Sequence, residues 1–264
     1  MIAEAVQPLR RMVGRLVKPF VGNLVSVETR EPLAALTFDD GPDPVFTPRL
    51  LDVLKMYDAH ATFFMVGENV QQHPAVMQRV VEARHAIANH SWDHPSFPLI
   101  RASERREQLR RCACAISPYG GLRLFRPPYG QLSLAARLDA LWLGYTVVMF
   151  DLEVGDWMDR DAKYMADAMV KKIRPGSIVA LHDRITGNVS HRTRFDRGPM
   201  IDAVAITLER LSSRMRFVTV PELVKYGTPC LSVRYEPPPL DLLPRLNEHR
   251  LLRAARHTRT LRSV

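Results

Sequence analysis

Cysteine is scarce in this chain: Cys112, Cys114 and Cys230 are the only three in 264 residues. An odd count makes no even disulfide framework, and the one Cys-x-Cys pair lacks the second pair that a thiolate zinc site would need. Reduced thiols in a cytoplasmic protein are therefore expected. Long apolar runs are missing too. No stretch approaches the roughly 20 residues of a spanning helix. In the first thirty residues, Arg15, Lys18 and Asn23 interrupt the apolar segment of about seven or more residues that export requires. There is no internal repeat, and no low-complexity tract beyond Pro237-Pro238-Pro239.

An excess of positive charge is present, but not where a polyanion-binding domain would carry it. Of the net +9, residues 1–30 hold five basic against two acidic side chains and residues 234–264 seven against three, which leaves the middle at +2. No nucleic-acid partner is expected on that distribution. The apolar fraction, 46%, is ample for a core, and α/β barrels use this length as one domain.

Short runs rich in β-branched and aromatic residues recur at 33–38, 61–66, 85–88, 123–125, 145–150, 177–181 and 216–220. Each reads as a buried strand. Helix-like stretches at 48–57, 74–84, 103–116, 132–143, 161–173 and 200–213 separate them, with a short final helix at 221–223. Alternation of this kind implies a parallel sheet with crossover helices, either closed as a barrel or open. A Pro-rich link and a basic tail follow, within 229–264.

The chemistry-bearing residues gather just past the carboxyl ends of these strands, the edge on which parallel α/β sheets assemble sites. Thr37-Phe38-Asp39-Asp40-Gly41-Pro42 is the first such cluster. Alone, its Asp doublet reads equally as capping chemistry in a strand-to-helix turn. Four more clusters follow in order: His90-Ser91-Trp92-Asp93-His94, Arg126-Pro127-Pro128-Tyr129, Asp156-Trp157 and Leu181-His182-Asp183. His90 and His94 have the i, i+4 spacing that brings two imidazoles to one face of a helical turn, suited to sharing a metal. Asp40 would complete a two-His, one-carboxylate site, with Zn²⁺ the default and Co²⁺, Ni²⁺ or Fe²⁺ the alternatives.

Together the five clusters resemble the motifs of the polysaccharide deacetylase family (carbohydrate esterases with a NodB-homology domain), over roughly residues 33–225. The resemblance implies a single-domain, distorted (β/α)7 barrel at 31–228, behind an N-terminal segment at 1–30. It implies a divalent-metal-dependent hydrolase that removes the N-acetyl group from an amino sugar in an oligo- or polysaccharide. Asp39 would be the general base and Arg126 the group that orients it. The backbone N–H of Tyr129 would meet the oxyanion. His182 is the candidate acid, since a departing amine needs a proton, and Asp156 would pair with it. Trp157 and Leu181 look like walls around the acetyl methyl. The position two before His182 is Ala180 and the aromatic before Asp151 is Phe150, where larger groups are frequent in the family, so the size of the acyl pocket is open.

Rival readings keep the fold: an O-acetyl esterase, an amidohydrolase on a non-sugar amide, or a catalytically silent glycan-binding protein. Leu9, Met12, Val13, Leu16, Val17 and Phe20 share one helical face, with Arg10, Arg11, Arg15 and Lys18 largely opposite. A helix packed on the barrel is the plainer reading; peripheral contact with the inner face of a membrane is the other.

Overall fold

The computed structural model describes residues 21–186, 194–233 and 235. The amphipathic stretch ending at Phe20, the Pro-rich link and the basic tail lie outside the described residues. The chain runs β1 (Asn23–Glu28), β2 (Leu33–Asp39), α1 (Phe46–Met56), β3 (Ala61–Met65), α2 (Gly67–Gln72), α3 (Pro74–Glu82), β4 (Ala86–Asn89), α4 (Ala102–Ile116), β5 (Leu124–Phe125), α5 (Leu134–Trp142), β6 (Thr146–Val147), β7 (Leu152–Glu153), α6 (Ala162–Lys172), β8 (Ile178–His182), α7 (Gly198–Leu211), β9 (Arg216–Phe217), α8 (Val220–Lys225) and β10 (Thr228–Ser232). Several helix starts follow local chemistry. Ser133, Asp161 and Thr219 accept the N–H three residues on, from Ala136, Tyr164 and Glu222, and Pro74 opens α3, where its missing N–H costs nothing.

Strand β2 is the axis of the fold. All seven of its residues are buried, as expected of a strand covered on both faces. It lies parallel between β3 and β8, in the order β6-β5-β4-β3-β2-β8-β7, with β9 beside its start. Period-two alternation then sorts the side chains. Ala34, Leu36 and Phe38 join the large outer core beneath the helices, with Leu50, Leu54 and Leu208. Leu33 and Ala35 join an inner cluster with Phe64, Ala88, Val148 and Ile178. Thr37 and Asp39 fall on that inner face, so the last residue of β2 delivers a carboxylate to the barrel interior.

The expected seven strands all form, curled into an incomplete, mostly parallel barrel. Three strands were not legible in the pattern: the two-residue β7 at the sheet edge, and the terminal pair β1 and β10. Strand β1, inside the stretch read as an N-terminal amphipathic segment, pairs antiparallel with β10. It also covers the seam between β6 and β8: Leu24 bridges Val148, and Ser26 bridges Ser177. Burial of Leu24 and Val27 in the inner cluster explains why this segment is extended, although its neighbours in sequence follow a helical period.

Candidate active site

The adjacent acids of the doublet diverge because the backbone changes conformation between them. Asp39 ends an extended strand, whereas Asp40 has φ 74°, and a cis Gly41–Pro42 peptide follows. Gly41 is required by space: a Cβ there would lie 2.5 Å from Oδ2 of the buried Asp183. Asp183 accepts a hydrogen bond from the Thr47 hydroxyl, and burial pushes its carboxyl up to about 7. It supports the turn from below.

Asp40 turns towards the loop after β4. Its Oδ1 lies 3.2 Å from His90 Nε2 and 3.0 Å from His94 Nε2, all three side chains being buried. Its Oδ2 accepts the Thr186 N–H at 2.6 Å, and its backbone oxygen accepts from Asn69.

The expected helical turn between the two histidines does not form. Residues 90–94 are irregular, and the imidazoles converge because Ser91 and His94 adopt φ 71° and 60°. Hydrogen bonds override the helical spacing here: Asn89 Oδ1 accepts the Ser91 N–H, Ser91 Oγ accepts the His94 N–H, and Gln108 Oε1 accepts those of Trp92 and Asp93.

These residues fit a divalent cation. His90 Nδ1 lies 2.7 Å from the Arg126 carbonyl, which can only accept, so that nitrogen carries the proton and the Nε2 lone pair faces Asp40. Buried Asp40 Oδ1 has no hydrogen-bond donor among the described residues. Acceptors converging at this separation repel unless a cation lies between them. Two ligand atoms about 2.1 Å from one ion and about 90–110° apart lie about 3.0–3.4 Å from each other, which matches the spacings here. Among the described residues, this is the group of His, Cys, Asp and Glu close enough to hold a metal.

Asp39 has a different partner. Arg126, wholly buried after β5, donates from Nη1 to Asp39 Oδ1 at 2.8 Å and to Thr37 Oγ1 at 2.6 Å, from Nε to Val148 O and from Nη2 to Met149 O. Its guanidinium stacks 4.2 Å from the Phe64 ring centroid. Burial lowers the Arg126 pKa, and Asp39 opposes that shift. Beyond Pro127 and Pro128, Tyr129 adopts φ 59° and sets its ring 4.4 Å from that of His94. Asp40, Ser91, His94 and Tyr129 are four of the six non-glycine residues with positive φ among those described, the clustering that strained functional sites show.

Beside Asp39, on the neighbouring parallel strand, His182 closes β8. Its Nδ1 lies 3.0 Å from Asp156 Oδ1, and its backbone N–H donates to Asp156 Oδ2 at 2.9 Å. Burial would lower this imidazole, but the Asp156 charge, with Asp40 and Asp39 behind it, raises it to about 10. The side chain keeps 21% of its surface open. Arg197, fully buried at the start of α7, was not foreseen. Its Nη1 donates to Asp156 O at 2.9 Å and Oδ2 at 3.4 Å, and its other nitrogens to the carbonyls of Phe195 and Arg194. A lone arginine before Gly-Pro carries no sequence signal beyond a helix start; only the buried contact reveals it.

Trp157 is partly exposed and donates from Nε1 to Glu153 at 2.7 Å. Leu181 is buried in the main outer core. Its backbone pairs with Phe38, so it packs the floor of the site from behind.

A catalytic edge of this kind on a mostly parallel, incomplete barrel defines a class, and comparison names it. Residues 26–148 match the polysaccharide deacetylase family model. A peptidoglycan-N-acetylglucosamine deacetylase of Bacillus cereus is 35% identical over 76% of this chain and 92% of its own length. The peptidoglycan-N-acetylmuramic acid deacetylase PdaC of Bacillus subtilis is 34% identical over 60% of this chain, and the match spans only 34% of that protein. The crystal structure of the Bc1960 peptidoglycan N-acetylglucosamine deacetylase superposes with a TM-score of 0.69 at 27% identity, covering 78% of this chain and 94% of the other. The chain belongs to the polysaccharide deacetylase family.

Proposed function

We propose that this protein is a divalent-metal-dependent deacetylase that hydrolyses the N-acetyl group of an amino sugar in a peptidoglycan- or chitin-type glycan, releasing acetate and a free amine. The observation that carries the reading is the division of the Asp doublet. Asp40 belongs with His90 and His94, while Asp39 is held apart by Arg126. A divalent ion held by Asp40, His90 and His94, zinc by donor type, would supply Lewis acidity to the hydrolytic water and the acyl oxygen.

Asp39, fixed by Arg126 on one oxygen, accepts the proton that the attacking water loses. Attack converts the planar amide to a tetrahedral carbon, and the Tyr129 backbone N–H donates to the oxygen on which charge accumulates; one such donor is worth roughly 3–4 kcal/mol of barrier. Collapse breaks the C–N bond. His182, kept protonated by Asp156, gives its proton to the departing nitrogen, so that the amine leaves neutral. The relatives' names for glucosamine and muramic acid residues support the sugar class. Metal analysis followed by acetate release from N-acetylated chito-oligosaccharides, peptidoglycan and O-acetylated xylan tests the proposal. Release from xylan alone would replace it with an esterase, and no release with metal bound would make the chain a silent binder.

A further inference from the structure

Helix α5 exposes an apolar face that the catalytic site does not use. Leu134, Leu138, Leu141 and Trp142 are 50%, 46%, 36% and 67% exposed, and their i, i+4, i+7, i+8 spacing puts them along one side. Ala136, Arg137 and Ala140 take the buried side. A stripe this large on one helix marks an interaction surface. Its surroundings are basic. From α4, the Arg106 and Arg110 guanidinium carbons lie 5.1 and 6.0 Å from the Trp142 ring centroid. The one carboxylate of α5, Asp139, is outnumbered by two guanidiniums, Arg105 at 2.7 Å and Arg106 at 3.8 Å.

We propose that this face is a peripheral docking surface for an anionic lipid bilayer. Leucine and tryptophan side chains enter the boundary between headgroups and acyl chains, while arginine stems lie along them and place their charges at lipid phosphates. A second copy fits less well, because a symmetric contact would oppose Arg106 and Arg110 to their own images. The place where the N-terminal segment joins the body points the same way. Arg137 of α5 donates to the Gly22 carbonyl at 3.1 and 3.3 Å, and the Tyr235 hydroxyl donates to that of Val21 at 2.8 Å. The segment leading to this joint carries its own apolar set, Leu9 to Phe20, and its own cations, Arg10, Arg11, Arg15 and Lys18. Two weak membrane signals in one chain give the paired anchoring that one alone does not. No described helix is long and apolar enough to cross a membrane, so the contact lies on the surface.

The test is co-sedimentation of the full chain with vesicles of equal parts phosphatidylcholine and phosphatidylglycerol, against phosphatidylcholine alone. The native protein should partition onto the mixed vesicles. A Leu138→Glu, Trp142→Glu double variant should lose roughly tenfold or more of that partition, with melting temperature and turnover of a soluble N-acetylated oligosaccharide unchanged. Arg106→Gln with Arg110→Gln should weaken binding to mixed vesicles selectively and flatten its salt dependence. Absence of native binding, or full binding by the double variant, overturns the proposal. So does a native dimer that the double variant converts to monomer, which would make the face a protein interface. A Leu16→Glu, Phe20→Glu variant of the full chain should weaken binding. Stronger binding would mean that the segment itself covers α5, and would also overturn it.

Discussion

Two buried arginines serve two carboxylates at the carboxyl edge of the sheet, and they do so differently. Arg126 binds directly the carboxylate proposed as the base, touching Asp39 at 2.8 Å. Arg197 stands one step further back, on Asp156, which in turn holds His182. In the proposed mechanism the first arrangement aims the base. In the second, Asp156 does two jobs at once: it accepts from Arg197 and the His182 backbone, and it raises the imidazole against the lowering effect of burial. The base side should therefore fail abruptly when altered, and the acid side should fail by a shift in pH dependence.

The largest effect is expected on the base side. Asp39→Asn keeps the shape and the Asp40–His90–His94 cluster but removes the proton acceptor, so metal content should stay at the native level while kcat falls by roughly 10²–10⁴-fold. His90→Ala should lose metal and turnover together. Near-native turnover in Asp39→Asn would assign the base elsewhere and dissolve the contrast between the two sides. Arg126→Met should also destabilise the fold by about 3–5 kcal/mol, since it strands a buried charge; thermal unfolding measures it.

Asp156→Asn tests the acid side. With the carboxylate charge gone, burial dominates and the His182 pKa drops from about 10 towards or below its ordinary value. The alkaline limb of kcat/KM should move to lower pH, and turnover at neutral pH should fall because the acid has lost its proton. Stability carries the same sign. A raised histidine pKa stabilises the native state fully below the unfolded value, and that gain is lost as pH rises through the folded one. Native protein should thus lose stability between about pH 6.5 and 10 in a way that Asp156→Asn does not. An unmoved alkaline limb would deny His182 its role as acid.

The same contrast marks how much the sequence disclosed. Asp39, Asp40, His90, Arg126 and His182 are legible because each lies at a strand end or directly after it, in a short cluster, and strand periodicity places such residues at one edge of a parallel sheet. The central strands were legible for the same reason: a run such as Leu33–Phe38 is buried on both faces. The loop holding His94 is not the helical turn that the spacing suggests, because its shape comes from Asn89, Ser91 and Gln108, and the last of these sits on the next helix, α4. Strand β1 was hidden because its reason for being extended is long-range: a seam between β6 and β8, and a partner in β10. Arg197 was hidden for a similar reason, since nothing in its own segment indicates burial against Asp156.

The smallest effect should come from that unforeseen arginine, and it separates positioning from bulk electrostatics. Arg197→Gln removes a positive charge beside Asp156. By Coulomb reasoning alone, that makes the carboxylate more effective at holding the proton on His182, so the alkaline limb should hold or move upward, opposite to Asp156→Asn. Turnover should nonetheless fall, by roughly tenfold if the loss equals one charge-assisted hydrogen bond of about 1.5 kcal/mol, because Asp156 is no longer fixed and the imidazole it carries is misaimed. KM should change little, since Arg197 is buried and does not face the cleft. Arg197→Lys restores the charge without the planar fork that reaches Asp156, Phe195 and Arg194 together. If charge were all that mattered, lysine would recover native kcat; recovery of the pH profile without recovery of kcat identifies Arg197 as a geometric support, the counterpart one step removed of what Arg126 does for Asp39.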